Sequence, residues 1–164
     1  MNKSKKVKVA VAEEKVDLRR GIDHIGVTVN FLIHDGSGKI LLQKRSKNCR
    51  DEHGKWDIGG GAVEFGEELH EALERELMEE YKISPLAYEL TEIYNALREH
   101  QGIPTHWVAI NYKVLVNPDE IRIGEPHKVD AIGWFNEDDL PESSELHSKF
   151  DEAKRIALKH NILK

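Results

Sequence analysis

The segment of residues 67–81 constrains the fold more than any other part of the sequence, because it predicts a helix with carboxylates on its apolar face. It contains no Gly or Pro and is rich in Glu, Leu and Ala, residues that favour helix formation. With Leu69 at 0° and about 100° per residue, the other apolar side chains lie at about 300°, 40° and 80° (Ala72, Leu73 and Leu77). Three carboxylates fall on the same face, at about 340°, 280° and 20° (Glu76, Glu79 and Glu80). The predicted helix therefore turns three acids toward the protein body.

Such a face requires a positive partner. Glu76 is three and four residues from Glu79 and Glu80, a spacing at which like charges repel, and acids in the last turns of a helix oppose its dipole. At an effective dielectric near 20, two unit charges about 4 Å apart repel by about 4 kcal/mol. A solvated acidic face stabilised by Arg75 and Lys82 is the ordinary alternative. The overlap with the apolar face favours instead a hard divalent cation, and Mg²⁺ fits best because it takes a few carboxylates and binds substrate phosphates.

The sequence before this helix predicts a hairpin and a polar loop. Apolar side chains recur at every second position from Ile25 to Phe31, which predicts a strand over residues 21–33. Residues 35–38 predict a turn and residues 39–44 a second strand. Residues 46–55 are polar and predict a loop. The basic residues around this loop, with Arg45 and Lys55 as the candidates, either steer a phosphate or belong to an ordinary solvated surface.

The sequence after the helix predicts three more strands and a closing helix. Residues 88–96 and 107–116 predict strands joined by a hairpin loop at 98–102, and residues 131–135 form a short apolar run. From Ser144 onward, apolar side chains at helical spacing predict a second long helix (Leu146, Phe150, Ala153 and Ala157). Strands interleaved with helices predict one α/β domain over residues 21–164, with helices packed on a mixed sheet. Residues 1–20 are predicted to be a flexible N-terminal segment or an added strand.

Charge and composition exclude several function classes. With 24 basic and 30 acidic side chains the net charge is −6, which opposes binding to nucleic acid by bulk electrostatics. No apolar stretch approaches the roughly 18 residues that a membrane span needs, and the basic start lacks a signal-peptide core, so we expect a cytoplasmic protein. Cys49 is the single cysteine, which excludes an intrachain disulfide and a thiolate metal cage.

The helix and the residues before it resemble the Nudix box. That pattern is Gly, five residues, Glu, seven residues, then Arg-Glu-apolar-any-Glu-Glu-any-Gly-apolar, and residues 61–83 match eight of its nine specified positions. The exception is Lys82, which stands where the family has Gly. Glycine supplies a left-handed helix cap without steric penalty, whereas Lys costs about 1 kcal/mol if φ is positive. The resemblance extends weakly to Trp56–Gly60 and to the segment from Glu125 to Lys128.

The resemblance implies a Nudix-type α/β/α sandwich with a mixed β-sheet between helices. It also implies hydrolysis of a pyrophosphate bond in a nucleoside diphosphate derivative with Mg²⁺, for which Mn²⁺ can substitute. By the match, the metal ligands are three box glutamates (Glu76, Glu79 and Glu80). The match also implies the Gly60 carbonyl as a fourth ligand. Glu67 is either a ligand through water or an ordinary acid at the helix N-terminus. Arg75 resembles the arginine that orients the box glutamates, the alternative being a surface ion pair.

Two further roles are assigned less directly. The general base must lie within hydrogen-bond reach of the attacking water, and the resemblance implies either a box glutamate, Glu76 or Glu79, or an acid on a later loop, where Glu125 matches. A solvated turn residue is the alternative for Glu125. Base recognition needs aromatic or apolar side chains with a few hydrogen-bonding groups. The available residues are Trp107, His106, Tyr94 and Trp134, with core packing as the default for the tryptophans, and Trp56 and His127 are further candidates to face the pocket.

The expected function is a hydrolase that cleaves a nucleoside triphosphate, damaged or non-standard ones included, to monophosphate and pyrophosphate. Hydrolysis of ADP-ribose or another nucleotide sugar is the alternative, and a non-catalytic nucleotide-binding module is a third expectation because a fold can lose its chemistry. The expected partner is a small-molecule nucleotide. A homodimer, common in the family, is also an expectation of the resemblance.

Overall fold

The computed structural model describes residues 17–164, without the side chain of His100. Most of the predicted N-terminal segment 1–20 therefore lies outside the described residues. Within these residues there are two α-helices, α1 (Leu69–Tyr81) and α2 (Phe150–Lys159). Seven strands accompany them: β1 (Gly26–His34), β2 (Ile40–Arg45), β3 (Trp56–Asp57), β4 (Gly59–Ala62), β5 (Ala87–His100), β6 (Ile103–Leu115) and β7 (Val129–Phe135). None of the helices in the described part is long and apolar enough to span a membrane.

The strands form one mixed sheet with a helix on each face, which confirms the predicted α/β class. The strand order is β3-β2-β1-β6-β5, with β4 paired to β1 and β7 paired to β2. β1 and β6 run parallel over nine residue pairs, whereas the other strand pairs are antiparallel. One apolar cluster joins the sheet to α1 through Leu73, Leu77 and Tyr81. The other joins it to α2 through Phe150 and Ile156.

The predicted hairpin between β1 and β2 is confirmed, but the hairpin loop predicted at 98–102 is too long. β5 continues through Arg98 to His100, and only Gln101 and Gly102 lie between it and β6. Both turn residues have positive φ, 51° and 77°, as a two-residue turn that matches the twist of the strands requires. The charged side chains at the end of β5 are typical of a loop, so the sequence pattern did not indicate that the strand continues.

Both helices begin later than predicted, for different reasons. α1 begins at Leu69, two residues later than predicted, where Glu68 and Glu71 form a capping box. α2 begins only at Phe150, because residues 143–145 form a 3₁₀ turn and Leu146 bridges to Trp56. The apolar spacing that suggested an earlier start to α2 comes from Leu146 packing against the α2 cluster from outside the helix.

Candidate active site

The C-terminal half of α1 packs directly on the glycine-rich strand β4. A Cβ atom added to Gly61 would lie 1.9 Å from Cδ of Glu76, and one added to Gly59 would lie 2.6 Å from Oε2 of Glu80. Atoms that close cannot coexist, so only glycine at these positions lets the two carboxylates reach the backbone of β4. The local sequence thus fixes where the acids of the helix lie.

The three box glutamates do not share one environment. The Glu76 side chain is 13% exposed and that of Glu79 is 52% exposed, while Glu80 is 8% exposed as a residue. The prediction that all three lie on the buried side is therefore wrong for Glu79. Its position at about 280° places it at the edge of the apolar arc, where the side chain escapes to solvent.

Of these groups, Glu80 has the least favourable environment for a negative charge. Its Oε2 atom is buried and accepts no hydrogen bond from the described residues. Burial raises the pKa of Glu80 well above its usual value, with further contributions from the negative charges of Glu76 and Glu125, against a lowering by the backbone amide of Gly60. Burial also raises the pKa of Glu76, which the neighbouring Arg75 partly opposes. The charge of Lys128 also lowers the pKa of Glu80, but none of the described cationic side chains donates a hydrogen bond to its Oε2.

Arg75 supplies positive charge to the other acids of the segment. Its guanidinium donates to both oxygens of Glu67 at 2.7 and 3.0 Å, to Oε1 of Glu76 at 2.7 Å and to the Ala62 carbonyl at 3.1 Å. A longer contact of 3.4 Å reaches Oε2 of Glu79. These hydrogen bonds hold the pKa of Glu67 at about 2. Arg75 thus links β4, the start of α1 and its later turns.

A later loop closes the C-terminal end of α1. The amides of Arg122 and Gly124 donate to the carbonyls of Tyr81 and Glu80 at 3.0 and 2.8 Å, so the loop satisfies carbonyls that a helix end leaves unpaired. This docking brings Glu125 close enough for its charge to raise the pKa of Glu80. Glu125 accepts from Lys128 at 2.8 and 3.0 Å. Two segments distant in sequence thereby place their acids together.

The loop around residue 127 is tied in turn to the polar loop after β2. The Ser46 hydroxyl and the Asn48 amide donate to the His127 carbonyl at 2.6 and 2.8 Å. The amide of Ser46 donates to the Lys128 carbonyl at 2.8 Å. These bonds fix one rim of the site through backbone atoms, so the His127 side chain remains exposed.

A cavity of about 410 Å³ opens beside Glu80 and crosses the sheet from β2 to β5. Its wall includes two aromatic side chains, Tyr94 and Trp107. Several cationic side chains also line it (Arg45, Arg50, Arg98, Lys128 and Lys149). The combination of aromatic surface, cations and a carboxylate end suits a phosphorylated ligand with a ring system.

The predicted substrate-binding residues divide sharply at this cavity. Arg45 lines it, held by Asp51 at 2.8 Å. The other four do not line it: Lys55 donates to the Ser144 carbonyl, Trp56 packs edge-on against Phe135 at 5.2 Å, His106 contacts Asn95 at 3.0 Å, and His127 is exposed. Glu80 and Gly60 line the cavity, whereas Glu76, Glu79, Glu67, Arg75 and Glu125 lie behind or beside it.

Sequence reasoning missed several cavity residues. Asp57 lies in the Trp56–Gly60 run already noted, so the segment carried a signal that the residue itself did not. Gln43 and His147 carried none: the first is one polar residue in an apolar strand, and the second precedes the helix by three residues. Their convergence depends on the pairing of distant segments.

The donor set fits a hard divalent cation without being preassembled. Within residues 17–164 no group of three His, Cys, Asp or Glu side chains is already arranged around a common metal position, because Glu76 turns to Arg75 and Glu79 to solvent. The buried Glu80 oxygen without a hydrogen-bond donor, beside two more acids, nevertheless offers the oxygen ligands that Mg²⁺ or Mn²⁺ takes.

Comparisons with known proteins agree with this geometry. A family model described as the NUDIX domain matches residues 24–158. An ADP-ribose pyrophosphatase of Methanocaldococcus jannaschii is 32% identical over 127 residues, 77% of this chain and 70% of that protein. An uncharacterised Nudix hydrolase of Yersinia pestis is 40% identical over 130 residues, 79% of this chain and 65% of that protein.

Solved structures extend the comparison to the whole fold. A MutT Nudix hydrolase from Burkholderia pseudomallei superposes with a TM-score of 0.68 at 34% identity, covering 83% of this chain and 97% of that one. The Nudix domain of Shewanella oneidensis NrtR, complexed with ADP ribose, superposes with a TM-score of 0.66 at 19% identity, covering 84% of this chain and 88% of that one. The second likeness shows the fold alone.

Proposed function

The chain belongs to the Nudix hydrolase family, and from that premise we propose that it hydrolyses the pyrophosphate linkage of a nucleoside diphosphate derivative in the cavity beside Glu80. The observation that carries the proposal is the Glu80 carboxylate, which is buried, accepts no hydrogen bond at Oε2 and lies near two like charges. An uncompensated buried charge is costly, so a cation bound there would stabilise the site. The same cation would bind the diphosphate of the substrate, because Mg²⁺ binds phosphates while retaining only a few protein ligands.

We assign the metal ligands to Glu76, Glu79 and Glu80, with the Gly60 carbonyl beside them. A bound Mg²⁺ or Mn²⁺ would reduce repulsion between the diphosphate and an incoming water and stabilise the leaving phosphate. Arg75 orients Glu76 by donating to its Oε1 atom at 2.7 Å. Both oxygens of Glu67 accept from Arg75, which supports a role in positioning Arg75 rather than in holding a metal directly.

Glu125 and Glu76 are the two candidates for the group that accepts the proton from the attacking water. Each already accepts a hydrogen bond from a cation, Lys128 in one case and Arg75 in the other. Both lie near Glu80, whose pKa their charges raise. In the profile of kcat/KM against pH, the acidic limb reports protonation of the base. The Gln variant that abolishes this limb therefore identifies the base.

A nucleoside triphosphate, cleaved to monophosphate and pyrophosphate, is the first candidate substrate. The cations that line the cavity support it, because a triphosphate carries more charge to neutralise than a nucleotide sugar does. ADP-ribose is the second candidate, favoured by the Methanocaldococcus jannaschii relative, which is named as an ADP-ribose pyrophosphatase.

The test is a substrate panel at pH 8 with Mg²⁺, scoring orthophosphate against pyrophosphate release for nucleoside triphosphates and formation of AMP and ribose 5-phosphate for ADP-ribose. Glu79→Gln and Glu80→Gln should each lower turnover by at least about a hundredfold without unfolding the protein, because each removes a charged ligand. Glu74→Gln is the matched control, since Glu74 lies on the exposed face of the same helix. Full activity of both ligand variants, or nucleotide binding by wild type without any hydrolysis, would refute the proposal.

A further inference from the structure

A recess in the cavity wall brings together three polar side chains that the proposed reaction does not use. Gln43 of β2 and Asp57 of β3 are directly opposed backbone partners, so their side chains lie on the same face of the sheet. His147, which precedes α2, lies against Asp57, with Nε2 3.7 Å from Oδ2. All three residues line the cavity that also contains Glu80 and Trp107.

The amide oxygen of Gln43 is unused. The residue is 7% exposed, and its Oε1 atom is buried without a donor among the described residues. A buried amide oxygen without a donor costs about 1–3 kcal/mol, and the two strand positions before Gln43, Leu41 and Leu42, are apolar and buried. A purely structural role at this position would be served better by another apolar side chain.

Asp57 and His147 are partly used, and what remains points into the recess. Asp57 Oδ1 accepts from the Ile58 amide at 2.9 Å, while the 3.7 Å between Oδ2 and His147 Nε2 is longer than a hydrogen bond. His147 Nδ1 accepts from the Lys149 amide at 3.1 Å, which places the ring proton on Nε2. The backbone of His147 is fixed by its amide bond to the Trp56 carbonyl at 2.9 Å.

The recess therefore offers acceptors from Asp57 and Gln43 and donors from Gln43 and His147. A phosphate is disfavoured as its ligand, because Asp57 would repel an anion and the nearby charges of Arg45 and Arg98 already act on the Asp57 carboxylate. The complementary group is uncharged and carries two adjacent N–H or O–H donors beside an acceptor. Tyr94 and Trp107 on the same cavity wall provide surface for a flat ring.

We propose that Gln43, Asp57 and His147 form a specificity site that binds this donor-rich, uncharged part of the substrate. It has two chemical sources: the edge of a guanine-type base, with its ring N–H, amino group and carbonyl, or the hydroxyl pair of a sugar. An adenine edge fits poorly, because its ring acceptor would face the Asp57 carboxylate. The assignment rests on the proposed function only for the statement that the ligand is a nucleotide.

Equilibrium binding separates this site from turnover. Dissociation constants are measured by calorimetry for GMP, 2′-deoxy-GMP, AMP and ribose 5-phosphate with wild type and with Gln43→Leu and Asp57→Asn. If the base is the source, wild type binds GMP at least tenfold more tightly than AMP. If the sugar is the source, removal of the 2′-hydroxyl weakens GMP binding at least tenfold, and the dissociation constant of ribose 5-phosphate is similar to that of GMP. In either case the preference, expressed as a ratio of dissociation constants, is at least fivefold smaller in both variants than in wild type.

The controls decide between a binding and a structural role. Asp130→Asn, on an exposed part of β7, should retain the wild-type preferences. Gln43→Leu should unfold at the wild-type temperature or above, because it removes a buried amide oxygen without a donor. Wild-type preferences in both recess variants, or equal loss of affinity for all four ligands, would overturn the assignment. Neither result depends on hydrolysis, so the proposed function can stand or fall separately.

Discussion

Glu80 dominates the energetics of the site at the scale of single residues. Most of its neighbours are satisfied by Arg75 or Lys128, and its own Oε2 accepts no hydrogen bond within the described residues. The carboxylate is retained where an apolar or amide side chain would give a more stable fold. Gly61 makes the same point, since a Cβ atom at this position would overlap the carboxylate of Glu76.

The raised pKa of Glu80 predicts a pH dependence of stability in metal-free protein. Its folded-state pKa lies well above the usual 4.5, so the folded state holds the proton more tightly than the unfolded chain does. The contribution of Glu80 to stability is then fully present below about pH 4.5 and is lost as pH rises through the folded pKa. Glu80→Gln lacks this loss, and in urea titrations with EDTA its advantage over wild type should widen from pH 4.5 to pH 7.

Glu74→Gln serves as the control for that measurement. It leaves the buried acid in place, so its stability should track that of wild type over the same pH range. Parallel curves for wild type and Glu80→Gln would show that Glu80 does not titrate abnormally in the folded protein.

At the scale of elements, the end of α1 carries identifiable strain. Lys82 has φ 54° and ψ 34°, a left-handed cap whose amide donates to the Met78 carbonyl. The helix end therefore keeps the left-handed geometry that a glycine cap adopts, with a side chain in an unfavourable region. Lys82→Gly should raise the free energy of unfolding by about 1 kcal/mol, measured by urea denaturation.

Lys82→Ala separates backbone strain from the loss of the Lys82 side chain. It removes the charge and most of the stem but keeps the Cβ atom, so it should not reproduce the gain. Equal stabilisation by Ala and Gly would mean that the charge of Lys82, rather than its φ angle, limits stability.

How far each element could be predicted depended on whether its signal was local. α1 followed from composition and spacing because helix propensity and an apolar face coincide in it. α2 was extended too far because Leu146 mimics helical spacing while pairing with Trp56 from another segment. The end of β5 was missed because strand pairing with β6 outweighs the poor strand propensity of residues 98–100.

At the scale of the whole molecule, the site is assembled from segments that are far apart in sequence. The acids of α1 could be assigned from one motif, whereas the loop that caps the helix, the loop after β2 and the residues before α2 meet only in the folded chain. Lys55, His106 and His127 illustrate the limit: each is chemically suitable for binding a nucleotide, and each is directed elsewhere by long-range pairing.

Because these segments meet around Glu80, whose Oε2 accepts no hydrogen bond from the described residues, ligand binding should stabilise the molecule as a whole. A ligand at about one hundred times its dissociation constant adds about 2.7 kcal/mol, which for a chain of this size raises Tm by about 5–10 °C. We expect such a rise when Mg²⁺ and a non-hydrolysable nucleotide are added together to metal-free protein, followed by scanning calorimetry. Glu80→Gln should lose most of it and Glu74→Gln should keep it. If wild type shows no rise with Mg²⁺ or Mn²⁺, the acids of α1 do not hold a metal.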